Sequence, residues 1–202
     1  MIENADFTPP ADPYALFTAW FQLAERHEPD NHNAMTVATL DEDGYPAARV
    51  LLLKDYDPNG FTFYTNRHSA KGRELQQHPK ASLCFHWKSL RRQVRIDGAV
   101  EPVSDAESDA YFATRPRGSQ IGAWASLQSE PLASREALEA RVREVEQRYE
   151  GKDVPRPAHW GGYHLTPHRI EFWQERPFRL HDRIVYRRDK AAGAWSIGRL
   201  YP

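Results

Sequence analysis

The sequence predicts an α+β fold, an antiparallel barrel of short strands flanked by helices. Three observations carry this. About eight apolar runs of strand length recur along the chain, several joined by tight turns. Segments of helical periodicity are inserted between them instead of alternating one-for-one with strands. No repeat, low-complexity tract or long linker divides the chain, so one domain over residues 1–202 is expected, with 1–11 as a flexible leading segment.

Asp12-Pro13 reads as an N-cap and first helical position. Leu16, Phe17, Trp20, Phe21 and Ala24 then recur at helical spacing to about Arg26. Met35–Leu40 reads as a strand closed by the turn Asp41–Gly44, and Ala48–Lys54 as a second. Asp57-Pro58-Asn59-Gly60 is a turn signal, and Phe61–Thr65 a third strand. Ser69–Gln77 suits a short helix. Ala81–Trp87 and Gln93–Val100 are two more strands. Ser104–Thr114 is a helix ended by Pro116, and Ser119–Ala125 a short second one capped by Ser119. Leu138, Val142, Val145 and Tyr149 mark an amphipathic helix from Ser134. Gly151–Pro157 is a loop. The remaining strands fall at Gly162–Leu165, Arg169–Trp173, Arg179–Tyr186 and Ala194–Arg199.

Composition excludes several function classes. The 202 residues carry 27 basic and 28 acidic side chains, a net charge of −1. That balance gives no support for nucleic-acid or membrane-surface binding. No apolar run approaches the length of a membrane span. The leading segment has no basic stretch followed by an apolar one, so a secretory signal is not expected and a cytoplasmic location is. The single cysteine, Cys84, lies in an apolar run and reads as a buried structural thiol. His164 and His168 lack a partner set for zinc, so no metal site is expected.

The densest chemistry is in Ile170–Arg183. If Arg179–Tyr186 is a strand, Arg179, His181 and Arg183 share one face. That face is either solvated and idle or opposed by an anion, with His181 able to titrate near neutral pH. Trp173 just upstream suits a flat, charged ligand. Alternation in Arg49–Lys54 puts its two cations on opposite faces, where either they serve two different anions or one of them is a surface residue. Tyr111 and Arg115 share a helix face. Together with Ser119 they form either a cap beside a solvated charge or a phosphate site at a helix N-terminus. Tyr64, Thr65, Lys71, Gln128 and Ser129 lie where strands and helices end, which is where ligand contacts concentrate.

These fragments, in this order, resemble the pyridoxine/pyridoxamine 5′-phosphate oxidase family. The carriers are RVLLLK at 49–54, FYTN at 63–66, SQIGAW at 119–124, QS at 128–129, and EFWQ followed four residues later by RLHDR at 171–183. The resemblance spans about Ala34 to Pro202. It implies an FMN-binding split barrel, a homodimer, and FMN at the subunit interface. It assigns Arg49, Val50, Leu51, Leu52, Leu53, Lys54, Tyr64, Thr65, Lys71, Gln93, Gln128, Ser129, Trp173 and Arg183 to FMN. Lys54, Tyr111, Arg115 and Ser119 would hold the substrate phosphate. Arg179 and His181 would meet the pyridine ring and carry the catalytic role. The implied reaction oxidises the 4′ carbon of pyridoxine or pyridoxamine 5′-phosphate with O2.

Two departures stand out. Family members often carry an arginine before the lysine matching Lys71, but here that position is Ala70. The contact is then either missing or supplied by Arg67 or Arg73. The segment before the first helix also lacks the basic arm seen in many members. The alternatives are a related phenazine-type flavin oxidase and a non-catalytic flavin- or haem-binding split-barrel protein.

Overall fold

A computed structural model describes residues 8–191 and 193–202. The expected segment 1–11 therefore lies mostly outside the described residues. The chain begins with helix α1, Pro13–His27. Asp12 caps it by accepting from the Tyr14 N–H at 2.9 Å, and Pro13 occupies the first turn, where its missing N–H costs nothing. Strands β1 (Ala34–Leu40), β2 (Pro46–Leu52), β3 (Asp55–Asp57) and β4 (Gly60–Asn66) follow, then helix α2 (Ala70–Gln77). Next come β5 (Lys80–Trp87), β6 (Arg92–Pro102) and helices α3 (Asp105–Ala113), α4 (Arg117–Ala125) and α5 (Arg135–Arg148). Strands β7 (Trp160–Gln174), β8 (Asp182–Arg187) and β9 (Ser196–Arg199) close the described fold.

All strand pairs are antiparallel, in the order β2-β1-β5-β6-β7-β4-β3, with β8 joined to β7 and β9 to β8. The sheet curls into a split half-barrel. The long strand β7 creates the split. One edge pairs with β6 over Tyr163–Gln174, while the other pairs with β4 over Trp160–Leu165 and with β8 over Arg169–Gln174. This corrects the expectation of two strands interrupted near Pro167. Proline cannot donate to a ladder, but it sits beside the register shift between Asp97 and Gly98, where regular β6–β7 pairing is interrupted. Gly98 permits that approach, because a Cβ there would lie 2.4 Å from the Thr166 carbonyl oxygen.

Two apolar clusters hold these elements. In the larger, α1 lays Leu16, Phe17, Trp20 and Ala24 on the sheet. Phe17 is fully buried, with ring contacts to Phe21, Tyr56, Phe61, Phe85 and Trp87. Burying such a side chain contributes about 1.5–3 kcal/mol. The smaller cluster gathers Phe112, Ile121, Ala125, Val145, Val154 and Trp160, and so seats α3, α4 and α5 on the start of β7.

Other boundaries moved. The second strand ends at Leu52, which leaves Leu53 and Lys54 beyond it; Asp55–Asp57 adds a short strand; the final strand begins at Ser196. Pro116, not Ser119, is the N-cap of α4, so Ser119 falls inside its first turn. Cys84 is half-buried, and burial pushes its thiol pKa up.

Candidate active site

The largest change concerns the stretch 179–183. Residues Pro177–Arg179 form a 3-10 turn, and β8 starts only at Asp182. Phe178 and Arg179 both adopt left-handed backbone, φ 57° and 62°. Pro177 fixes its own φ and has no N–H to give a ladder. The alternation expected for Arg179, His181 and Arg183 therefore does not exist. Only Arg183 lies in a strand, and His181 is placed by the turn.

A cavity of about 1020 Å³ opens between the end of β2, β4, α2 and the α3–α4 corner. Arg49, Val50, Leu51, Leu52, Lys54, Tyr64, Thr65, Lys71, Tyr111, Arg115, Ser119, Gln128 and Ser129 all line it. Arg49 and Lys54 thus share one cavity, against the parity expectation, because Lys54 lies past the strand end and is no longer governed by alternation. Leu53 does not line it. Its side chain is buried in the main core, its N–H donates to the Asn33 carbonyl, and its own carbonyl accepts from Asn33 Nδ2.

Arg49 is held from behind. Its Nη2 donates to Glu74 Oε2 at 2.9 Å, its Nη1 to Thr39 Oγ1, and Thr39 Oγ1 donates to the same Glu74 oxygen. Lys71 is buried among neutral acceptors, Ser69 Oγ at 3.2 Å and Gln128 Oε1 at 2.9 Å. Burial pushes its pKa down to about 8, the Arg49 charge pushes the same way, and Glu74 opposes them. Burial also lowers the pKa of Arg115, whose Nη1 is enclosed without a hydrogen-bond partner. Burial, then Glu107, raises the Tyr64 phenol to about 12, which keeps it a neutral donor. Lys71 and Arg115 are thus kept from water by neutral groups, as an anion site needs, whereas Arg49 is already paired with Glu74.

The remaining predicted residues form a second group, away from this cavity. Gln93, Trp173 and Arg183 stand opposite one another across β6, β7 and β8. The buried carboxylate of Glu171 accepts from Arg183 Nε at 2.7 Å and from Arg169. The His181 ring lies 4.6 Å from that of Trp173, and its Nδ1 accepts the Arg176 N–H at 3.2 Å. In a neutral ring that leaves the proton on Nε2. Arg179 is exposed.

Arg67 and Arg73 both have partners of their own in this structure. Arg67 packs against Gly161 and donates to the Val103 carbonyl, while Arg73 binds the His68 carbonyl and Glu130. The Ala70 N–H instead donates to Ser129 Oγ at 3.1 Å. Sequence reading missed Trp160 in the cavity wall and Glu74 behind Arg49. Trp160 stands just before a glycine pair, a hint of close packing. Glu74 lies three residues after Lys71 on one helix, which gives no comparable signal.

Similar proteins agree on what such a chain is. A family model described as pyridoxamine 5′-phosphate oxidase matches residues 23–149. Another, described as the pyridoxine 5′-phosphate oxidase C-terminal dimerisation region, matches 160–202. A pyridoxine/pyridoxamine 5′-phosphate oxidase of Azorhizobium caulinodans is 60% identical over 201 residues, covering 100% of this chain and 95% of the relative. One from Caulobacter vibrioides is 61% identical over 191 residues, covering 95% and 85%. Among solved structures, PhzG from Burkholderia lata 383, in complex with tetrahydrophenazine-1-carboxylic acid, superposes with a TM-score of 0.90 at 33% identity, covering 100% and 98%. A pyridoxamine 5′-phosphate oxidase-related, FMN-binding protein from Nostoc punctiforme shares the fold, with a TM-score of 0.74 at 20% identity over 94% and 97%. On the match of both family models, the chain belongs to the pyridoxine/pyridoxamine 5′-phosphate oxidase family.

Proposed function

We propose that this chain is an FMN-dependent oxidase that converts pyridoxine 5′-phosphate and pyridoxamine 5′-phosphate to pyridoxal 5′-phosphate. The alcohol loses two electrons and two protons to give the aldehyde. The amine gives an imine, which water hydrolyses with loss of ammonia. When bound, FMN would supply the electron acceptor, with O2 taking the electron pair and two protons to leave as H2O2. The supporting observation is that one cavity is lined by Arg49 and Lys71, close enough for their charges to interact, and also by Lys54 and Arg115. Two phosphate-bearing ligands, cofactor and substrate, account for both.

The residues fit FMN. A buried lysine held only by neutral groups, at the N-terminal end of α2, is a ready phosphate partner. Thr65, Gln128 and Ser129 add polar partners beside it. Lys54, Tyr111, Arg115 and Ser119 then anchor the substrate phosphate far from the reacting carbon, so binding energy orients the ring. Gln93, Trp173, Arg179, His181 and Arg183 act from the partner subunit of a homodimer. His181, with its proton on Nε2, offers a hydrogen bond at the ring, and Arg179 covers the ring face.

Residues 1–202 serve as one functional unit. No described helix is long and apolar enough to cross a membrane. The likeness to PhzG favours a phenazine-type substrate as a second reading. The higher identity of the vitamin-phosphate relatives outweighs it.

The test is aerobic turnover of both phosphates by the purified protein, with its visible spectrum recorded. Flavin bands near stoichiometry, aldehyde and peroxide are expected, as are large losses of rate in Arg179→Ala and His181→Ala. Absence of aldehyde and peroxide overturns the proposed reaction. Unchanged rates in both variants remove these two residues from the site.

A further inference from the structure

Behind Arg115 lies an aromatic wall that the substrate contacts above do not explain. Tyr64, Tyr111 and Trp160 form one parallel stack. Ring centroids are 4.1 Å apart at 16° for Tyr64–Tyr111, and 5.4 Å apart at 8° for Tyr64–Trp160. Gly162 allows this closeness, since a Cβ there would lie 2.7 Å from Tyr64 Cε1. Trp160 is 6% exposed, with Phe112 set edge-on at 5.1 Å. The Arg115 guanidinium carbon rests 4.6 Å from the Trp160 centroid and 5.4 Å from that of Phe112.

The charge is therefore withdrawn from water onto a π face, with one nitrogen enclosed and unpartnered. An indole face attracts a cation without neutralising it or occupying its N–H groups. A carboxylate would do both, and would compete with an incoming anion. The rigid stack fixes where the guanidinium points, because none of its rings can turn without disturbing the others.

We infer that Trp160 is a positioning residue that holds Arg115 for the substrate phosphate, and so sets the preference for phosphorylated over unphosphorylated vitamers. The inference rests on the proposed oxidase reading for its substrate class. Trp160 acts only through Arg115: it contributes to binding of the phosphoester and leaves the reacting carbon untouched.

The probe is 4-deoxypyridoxine 5′-phosphate, which lacks the reacting 4′ oxygen, compared with 4-deoxypyridoxine. Both are titrated calorimetrically into holoenzyme. Trp160→Leu is expected to weaken the phosphorylated probe by about tenfold and the other by less than about twofold. Trp160→Phe, which keeps an aromatic face and the fold, falls between. In an Arg115→Ala background the Trp160 effect disappears. With pyridoxine 5′-phosphate, KM rises in the same proportion and kcat holds. Equal weakening of both probes, or an effect that persists without Arg115, overturns the inference. A wild type that binds the phosphorylated probe in this Trp160-dependent way but oxidises neither vitamer phosphate sinks the oxidase reading and leaves the phosphate role standing. If Trp160→Leu fails to fold, Trp160→Phe in the two backgrounds decides alone.

Discussion

Lys71 shows how one side chain couples folding to ligand binding. Its pKa falls from 10.5 to about 8 in the folded chain, first through burial. Between those values the unfolded chain holds a proton that the folded chain has released. The folded form without ligand therefore gains stability from this group as pH rises from about 8 to 10.5. Anion binding runs the other way, because the ammonium that meets a phosphate is present only below about 8. FMN affinity of the apoprotein, read by quenching of flavin fluorescence from pH 7 to 9.5, is expected to fall as pH passes that value. Lys71→Met should bind about tenfold more weakly at pH 7, with no fall above it. A flat wild-type profile excludes the coupling. This lysine was legible as a candidate ligand residue because it follows a strand end at a helix start. Its depressed pKa was not, since burial and the charge of Arg49 come from packing.

At the scale of elements, α2 has only eight residues, too short to persist by itself. Ser69 caps it, and Glu74 ties it to β1 and β2 through Thr39 and Arg49. Glu74→Ala leaves the guanidinium of Arg49, which is only 23% exposed, without its carboxylate. Stability should fall by roughly 3 kcal/mol in urea unfolding with an unchanged slope. FMN affinity should fall with it, as Arg49 loses its fixed direction. Wild-type stability in this variant removes the tie. Local signals predicted elements well where cap and periodicity agreed, as in α1, α2, α3 and α5. They failed where tertiary pairing decides. Strand β7 runs through Pro167 because a bulge opposite Gly98 absorbs it, and Arg179–Leu180 leaves the strand because Pro177 and two left-handed residues turn the chain. Alternation was the wrong reason to group the cations of 179–183.

Across the whole molecule, the two groups of candidate site residues occupy different regions of one chain. Arg49, Lys54, Lys71 and Arg115 line the cavity, while Gln93, Trp173 and Arg183 cross the β6–β7–β8 rows. Linear order cannot show this division, because signature fragments lie in sequence without saying which subunit each serves. A closed two-fold dimer lets each chain supply the cavity of one site and the strand row of the other. Subunit complementation follows. A chain with Arg115→Ala damages the cavity side, and a chain with Arg183→Ala the strand side. Each variant alone gives homodimers in which both sites are damaged. Mixed after unfolding, or co-expressed, the two form heterodimers in which one site carries both lesions and the other neither. Random pairing makes about half of all dimers mixed, so about a quarter of all sites are intact. Turnover of pyridoxine 5′-phosphate should therefore recover to about a quarter of the wild-type rate. Activity that stays at the level of the separate variants would mean that each chain completes its own site, and the strand row would then belong to some other role.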